Sequence, residues 1–457
     1  MRGWSLSTGS LSARVLKALG VFSSTQALSI LCTVVRTKLV AIWIGSVGLG
    51  LFGLFSSAVD MISAITHLSL RSSSVREISA LPPASPLRRL TVAVVRRWGR
   101  LLGLGGMLLT AASSPLLSLI CFGNSSMWWA FVALSPVMFM GSVTGCNQAI
   151  LQADNRLKSL ALIALYSTVT ALILAIPILY WFRMAGIVPV IVVYALSSLL
   201  FTLYFGRTPE SGPLPRPTHR ETITLGRSII KLGVYMTISG ALVQLTTFIF
   251  MSWLNNNGGT STVGLYQAGN TLIIRYAGIL FTAIGMEYFP RIAAAAHCRN
   301  RLRVYANHEI ILLLKIALPL AVVLIIGAPF IIRLLFAEEF ASSAAMVEAG
   351  TPGLIFKIAS WCISYMMIVR ADGRVFLATE IISSVMGLVL NILFFSEWGV
   401  TGLGASFTVW YLLYLVMVWG VCRWRYRFHL TTKAVAWLLT ASVSVSVVSL
   451  ICLAYIY

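Results

Sequence analysis

Six ionisable residues fall within or at the edges of long apolar runs: Arg36, Lys38, Asp60, Arg275, Lys315 and Lys357. An ionisable group inside such a run is costly if the run crosses a membrane, and it normally faces a cavity or a partner. Five of the six are cationic, and a cationic cavity implies an anionic substrate. Arginine suits phosphate because its planar fork gives paired hydrogen bonds. A diphosphate entering a low-dielectric cavity needs several such partners. Each residue also has a plainer reading. Lys315 can snorkel to one surface, and Arg36 and Lys38 can sit among lipid headgroups. Asp60 and Arg275 lie near the middle of their runs, where snorkelling is hard, but they can form a structural ion pair. Glu287, Glu380 and His67 read most simply as interfacial residues.

Other chemistries lack their motifs. No Lys follows a Gly, so there is no phosphate-cradling G-x-x-x-x-G-K-[ST] loop. The segment His308-Glu-Ile-Ile-Leu312 begins like a zinc-protease motif, but Leu312 stands where the second His is required. The seven cysteines are scattered, mostly in apolar runs, with no C-x-x-C and no disulfide spacing. We expect no metal, no cofactor and no catalytic residue, and therefore not an enzyme.

The elements that must position the ionisable residues are helices in a bilayer. Of 457 residues, 58% are hydrophobic and 10% charged, against about 25% charged in a soluble domain. Mean hydropathy is +0.89. The apolar runs reach the ~20 residues a helix needs to cross a hydrocarbon core. An outer-membrane barrel would instead show ~10-residue alternating segments. Thirteen spans are expected, near 15–35, 48–70, 100–121, 128–151, 159–182, 185–206, 230–254, 264–290, 309–333, 349–369, 376–396, 400–422 and 434–456. The basic N-terminus followed by an apolar run resembles a signal peptide. However, the run is long and no A-x-A-like site follows, so it is read as the first span.

With the N-terminus cytoplasmic, the loops after even-numbered spans carry most of the 34 Lys and Arg, while the alternate loops hold only Arg36, Lys38, Arg183 and Arg333. That asymmetry is the positive-inside rule, and it explains the net charge of +21 without a nucleic-acid partner. Segment 207–229, with Pro209, Pro213, Pro215 and Pro217, suits an extended cytoplasmic linker. The expected organisation is an N-terminal six-helix bundle (1–206), that linker, and a C-terminal six-helix bundle (230–422). A basic loop with an extra helix follows (423–457).

Both bundles start and end on one side, so a repeat would be parallel. Traces of one exist. Q-A-D-N-R (152–156) matches R-A-D-G-R (370–374) at an offset of 218; V-G-L (47–49) matches V-G-L (263–265) at 216; Gly186 pairs with Gly402, also at 216. The fold class expected is an all-α polytopic membrane protein of 12–14 helices. Its two six-helix bundles would enclose a central cavity, with at least one extra C-terminal helix.

Residues 26–79 (Q-A-L-S-I-L-C-T-V-V-R-T-K-L-V-A-I-W-I-G-S-V-G-L-G-L-F-G-L-F…S-S-S-V-R-E-I-S) resemble the N-terminal region of bacterial lipopolysaccharide O-unit flippases. So do residues 262–291 (T-V-G-L-Y-Q-A-G-N-T-L-I-I-R-Y-A-G-I-L-F-T-A-I-G-M-E-Y-F-P-R). These flippases belong to the multidrug/oligosaccharidyl-lipid/polysaccharide exporter superfamily. The resemblance implies two six-helix bundles around a V-shaped cavity. It also implies movement of undecaprenyl-diphosphate-linked oligosaccharides, such as O-antigen units, from the inner to the outer leaflet of the inner membrane. Its cationic lumen maps onto Arg36, Lys38, Arg275 and Lys357. Membrane lipids and, by analogy, glycan polymerase or ligase machinery are the partners it implies. Two alternatives stay open. A cation-coupled drug exporter would need deep acids, of which Asp60 is the convincing one. A glycan polymerase or ligase would need a larger external loop than this chain has.

Overall fold

A computed structural model describes residues 8–82, 85–206, 217–276, 288, 292, 298–370 and 372–456. All its regular elements there are helical. In chain order they are α1 (Thr8–Thr66), α2 (Leu70–Ser79), α3 (Pro86–Phe122), α4 (Trp128–Ala153), α5 (Leu157–Phe182) and α6 (Ile187–Phe205). Then come α7 (His219–Asn270) with a π-helical turn at Thr271–Tyr276, α8 (Arg299–Leu335), α9 (Ser342–Val369), α10 (Gly373–Tyr426) and α11 (Thr432–Ile456). Helices are what an apolar chain must form in lipid, because each satisfies its own backbone polar groups. Among the described residues, eight helical stretches are long and apolar enough to cross a membrane. The all-α polytopic expectation holds. The latter part of the eighth expected span, including Glu287, lies outside the described residues, as does 207–216 of the expected linker.

Three expected pairs of spans are two helices that follow one another with only a kink between them. Gly45 (φ 73°, ψ −166°) breaks α1, Gly259 (φ 81°, ψ 163°) breaks α7, and Trp398–Gly399 breaks α10. The conformation of Gly45 and Gly259 is essentially restricted to glycine. The two are 214 residues apart and share one backbone geometry. Arg183 (φ 46°, ψ −119°) after α5 corresponds in the same way to Gly399 (φ 57°, ψ −139°), at an offset of 216. Beside those breaks, a Cβ on Gly186 would meet the Ile178 carbonyl at 2.9 Å, and one on Gly402 the Phe394 carbonyl at 2.1 Å. The repeat traces therefore mark matching bends of the backbone. The V-G-L match is out of register: the shared kink pairs Gly50, not Gly48, with Gly264.

The basic segments read as loops are largely helical. Arg71 and Arg76 lie on α2; Arg88, Arg89, Arg96, Arg97 and Arg100 lie on α3, which starts at Pro86. Proline is pre-organised for that first-turn position, and arginine is a good helix former. Helix α8, with 37 residues, is about 55 Å long and outruns a ~30 Å hydrocarbon core, so its basic end continues as helix. Segment 219–229 is helical too. The Thr218 amide and hydroxyl both donate to the Glu221 carboxylate at 2.8 Å, and the Glu221 amide returns a bond to Thr218 Oγ1 at 3.3 Å. This is a capping box.

The chain forms two compact units: residues 1–44 with 54–244, and residues 45–53 with 245–457. In the first, α3 and α4 cross closely through Gly99, Gly103 and Gly106, and Ser142 Oγ donates to the Gly99 carbonyl at 2.7 Å. Small residues and hydroxyls are how helices approach in lipid. In the second, Gly350 and Gly353 of α9 meet Gly404, Phe407 and Thr408 of α10, and Thr408 Oγ1 donates to the Ala349 carbonyl at 2.7 Å. The opposite side of α9 joins an apolar core with α8 and α11 that includes Ile325, Ile355, Cys362, Met366, Ala441 and Val445.

Candidate functional site

Lys357 has the most developed surroundings of the six candidates. It lies mid-way along α9, half-buried, with Nζ 4.9 Å from the centroid of the Tyr411 ring and 5.6 Å from that of Phe407. Cation–π attraction holds it over α10, with ~0.5–2 kcal/mol per contact depending on desolvation. Tyr411 also touches Trp410 (4.9 Å between centroids) and Tyr414 (6.3 Å). Tyr414 donates from its hydroxyl to Glu380 Oε1 at 2.5 Å. On α7, Tyr266 lies near Tyr411 and edge-on to Phe250 at 5.2 Å. The second unit therefore holds a cation on a bed of aromatic faces, with a tyrosine–carboxylate pair beside it. Such a bed can stack apolar sugar faces while the ammonium meets an anion. Single-sequence reasoning missed it because Phe407, Trp410, Tyr411 and Tyr414 sit at i, i+3, i+4 and i+7, a spacing that any apolar helix face shows.

In the first unit, Arg36 lies half-buried on α1 with its guanidinium 5.8 Å from the Tyr194 ring of α6. Lys38, half-buried, and Asp60, exposed, lie on the same helix. Lys315 takes a different neighbour from Lys357: exposed on α8, it lies 5.1 Å from the Trp437 ring of α11. Arg275 falls in the π-helical turn after α7, and its side chain lies outside the described residues. Within the second unit, Lys315 and Lys357 thus address different helices and do not form one cluster. His67, just past the apolar stretch of α1, makes a 3.0 Å hydrogen bond from Nε2 to the Met138 carbonyl. Burial lowers its pKa, and that bond partly opposes the shift.

A polar crossing lies at the matched kinks. Ser46 Oγ and Ser261 Oγ are 2.6 Å apart, and Ser46 Oγ donates to Glu339 Oε2 at 3.4 Å. A Cβ on Gly50 would lie 2.0 Å from the Thr260 carbonyl oxygen, and one on Gly264 1.9 Å from that of Ser46. The two contacts are reciprocal: residues 46 and 50 meet their counterparts 260 and 264 at one offset. Neither the serine pair nor the reciprocal glycines could be read from the V-G-L match, which set the register two residues away.

No curated protein matches the chain. Among solved structures, an inward-facing multidrug resistance transporter of the MATE family, MOP superfamily, matches with a TM-score of 0.72 and 14% identity. The match covers 92% of this chain and 95% of that one. The lipid II flippase MurJ, in an inward closed conformation, matches at TM-score 0.63 and 15% identity over 94% and 97%. A MOP-superfamily transporter from Pyrococcus furiosus, described as having a binding pocket of reverse polarity, matches at 0.61 and 14% over 94% and 96%. These likenesses show that the chain shares the fold of these proteins. A family profile, Polysacc_synt_3, described as "Polysaccharide biosynthesis protein", matches residues 94–345, more than half of the chain. The chain belongs to that polysaccharide biosynthesis protein family.

Proposed function

We propose that this protein is a flippase that carries an undecaprenyl-diphosphate-linked oligosaccharide, an O-antigen unit or a related surface glycan, from the cytoplasmic to the outer leaflet of the inner membrane. Lys357 on its aromatic bed carries the proposal: it offers a cation for the diphosphate and flat faces for sugars in one place. Family membership and the fold shared with a lipid II flippase support it. In this reading the protein is two six-helix bundles joined by 207–229, has its N-terminus in the cytoplasm, and works by alternating access without catalysing a reaction. Arg36, Lys38, Asp60, Arg275 and Lys315 are proposed as further contacts for the substrate. An inside-negative potential favours outward movement of each negative charge by ~2.3 kcal/mol per 100 mV, so no ATP site is needed. The multidrug-exporter alternative fits less well, because the candidate set is cationic. The polymerase or ligase machinery of the membrane would take over the delivered unit.

The test is leaflet-resolved analysis of lipid-linked glycans in cells depleted of the protein and complemented with the parent or with Lys357→Ala. The expected result is a complete glycan unit stranded on the cytoplasmic leaflet on depletion. The parent should release it, and Lys357→Ala, at equal protein level, should release it poorly. Units reaching the outer leaflet without the protein, yet left unpolymerised, would overturn the flippase assignment.

A further inference from the structure

Helix α9 carries a second ionisable residue that nothing above uses. Glu348 is fully buried, and among the described residues neither carboxylate oxygen has a hydrogen-bond partner. Residues 346, 350 and 353 of α9 meet Gly269, Ile273, Gly404 and Phe407. At ~100° per residue, Glu348 points away from that seam, in line with Ile355, Ala359, Cys362 and Met366. That stripe belongs to the apolar core shared with Ile325 of α8 and Ala441 and Val445 of α11. On α11, Ser449 Oγ commits its proton to the Glu348 main-chain carbonyl at 2.8 Å.

The surroundings offer little charge to offset a carboxylate. Helix α8 has no charged residue between Lys315 and Arg333, α10 none between Glu380 and Glu397 or between Glu397 and Arg423, and α11 none after Lys433. The only other charge on α9 is Lys357, on the opposite face. The turn before α9 contributes Glu338 and Glu339, which are acids themselves, and the π-helical turn contributes Arg275. Among the described residues of α11, Cys452 is a titratable group close enough to sense Glu348. An ionised carboxylate without partners in such a place is strongly disfavoured, and a neutral acid far less so.

We propose that Glu348 is a proton-binding site that fastens α11 to the seam of α8 and α9. With the proton bound, the neutral acid lies in the apolar core and α11 stays closed over it. When the proton leaves to water, the carboxylate draws water in and α11 loosens at its C-terminal half. This site faces away from Lys357 and does not depend on the flippase reading.

Cys452 is a built-in reporter, half-buried on the moving helix. In the purified full-length protein, its alkylation by N-ethylmaleimide is followed by peptide mass from about pH 6 to about pH 9, for the parent and for Glu348→Gln. The parent-to-variant rate ratio cancels the thiol's own titration. We expect a ratio near one at the acid end that rises several-fold at the alkaline end. A simple charge effect runs the other way, because a nearby carboxylate disfavours the thiolate. A flat or falling ratio would overturn the proposal. If Glu348→Gln does not accumulate, dicyclohexylcarbodiimide serves on the unaltered protein, since it adds to protonated buried carboxyls. An adduct on Glu348 that forms at pH 6 and fades by pH 9 supports the site, and no adduct at pH 6 overturns it.

Discussion

The reciprocal glycine crossing yields a quantitative prediction. An alanine at position 264 would place its Cβ 1.9 Å from the Ser46 carbonyl oxygen, where ordinary contact begins at 3.4 Å. The oxygen belongs to the backbone and the Cβ is fixed rigidly to its own, so no side chain can swing aside and the helices must part by about 1.5 Å. Overpacking of this kind costs ~1–3 kcal/mol, which is roughly 5- to 150-fold in the equilibrium for closing the crossing. Gly50→Ala meets the Thr260 carbonyl at 2.0 Å and should cost about the same. The double variant should cost clearly less than the sum, because the separation forced by one Cβ already makes room for the other. The assay uses the 2.6 Å approach of Ser46 and Ser261. In an S46C/S261C background, oxidative cross-linking should be fast. Gly264→Ala or Gly50→Ala should slow it by that factor, and the two together by little more. Cross-linking of G264A at the parent rate, or strictly additive effects, would refute a tight reciprocal contact.

Three further outcomes follow from polar contacts near the helix ends. Arg88, buried on α3, donates to the Leu81 carbonyl at 2.9 Å, the Ala153 carbonyl at 3.5 Å and Asp154 Oδ1 at 2.6 Å. Removing one partner of a buried pair costs about 3–5 kcal/mol. With Asp154 partly exposed, the low end is expected for Arg88→Ala, less for Asp154→Asn, and Arg88→Lys should not rescue; thermal unfolding in detergent measures all three. The Glu221 carboxylate is held below its usual 4.5 first by the Thr218 backbone bond and then by its hydroxyl. The capping box is therefore intact above that value and lost as pH falls through the lowered one, which amide exchange at 218–222 should report and Glu221→Gln should abolish. For His67, burial lowers the value from 6.5 against the Met138 bond. The unfolded chain then binds the proton more readily, so stability falls as pH drops through 6.5. His67→Gln should flatten the parent's fall in Tm between about pH 7.5 and pH 5.5.

What could be read from the sequence follows from which signals are local. Span lengths and the one-sided Lys and Arg are local, so the polytopic helical architecture was legible. Helix ends were not: Arg96 and Arg100 look like loop residues to a hydropathy window, although arginine continues a helix into water without cost. The T-x-x-E at 218–221 was a readable cap that the proline-rich segment before it obscured. The hydropathy pattern starts the tenth span at residue 349 and so leaves Glu348 just outside it, in an outer loop. The structure starts α9 at Ser342 and places Glu348 in the second turn. The aromatic bed and the Ser46–Ser261 pair depend on contacts across about 50 and 215 residues, which no single-sequence pattern encodes.

Helix α9 shows how one span can keep opposite charges apart. Glu348 and Lys357 are nine residues apart, which at ~100° per residue is half a turn beyond two full turns, with ~13.5 Å of rise between them. They cannot neutralise one another, so each must be accommodated by its own neighbours. Lys357 finds ring faces on the α10 side. Glu348 finds apolar side chains and one committed hydroxyl on the α11 side. A nine-residue separation that serves neither helix stability nor a salt bridge is understandable if the two faces do separate work. The lysine would meet the passing substrate, and the acid would exchange a proton at the joint of the last helix. The two tasks are separable by experiment: Lys357→Ala should impair glycan delivery and leave the Cys452 alkylation ratio as pH-dependent as in the parent.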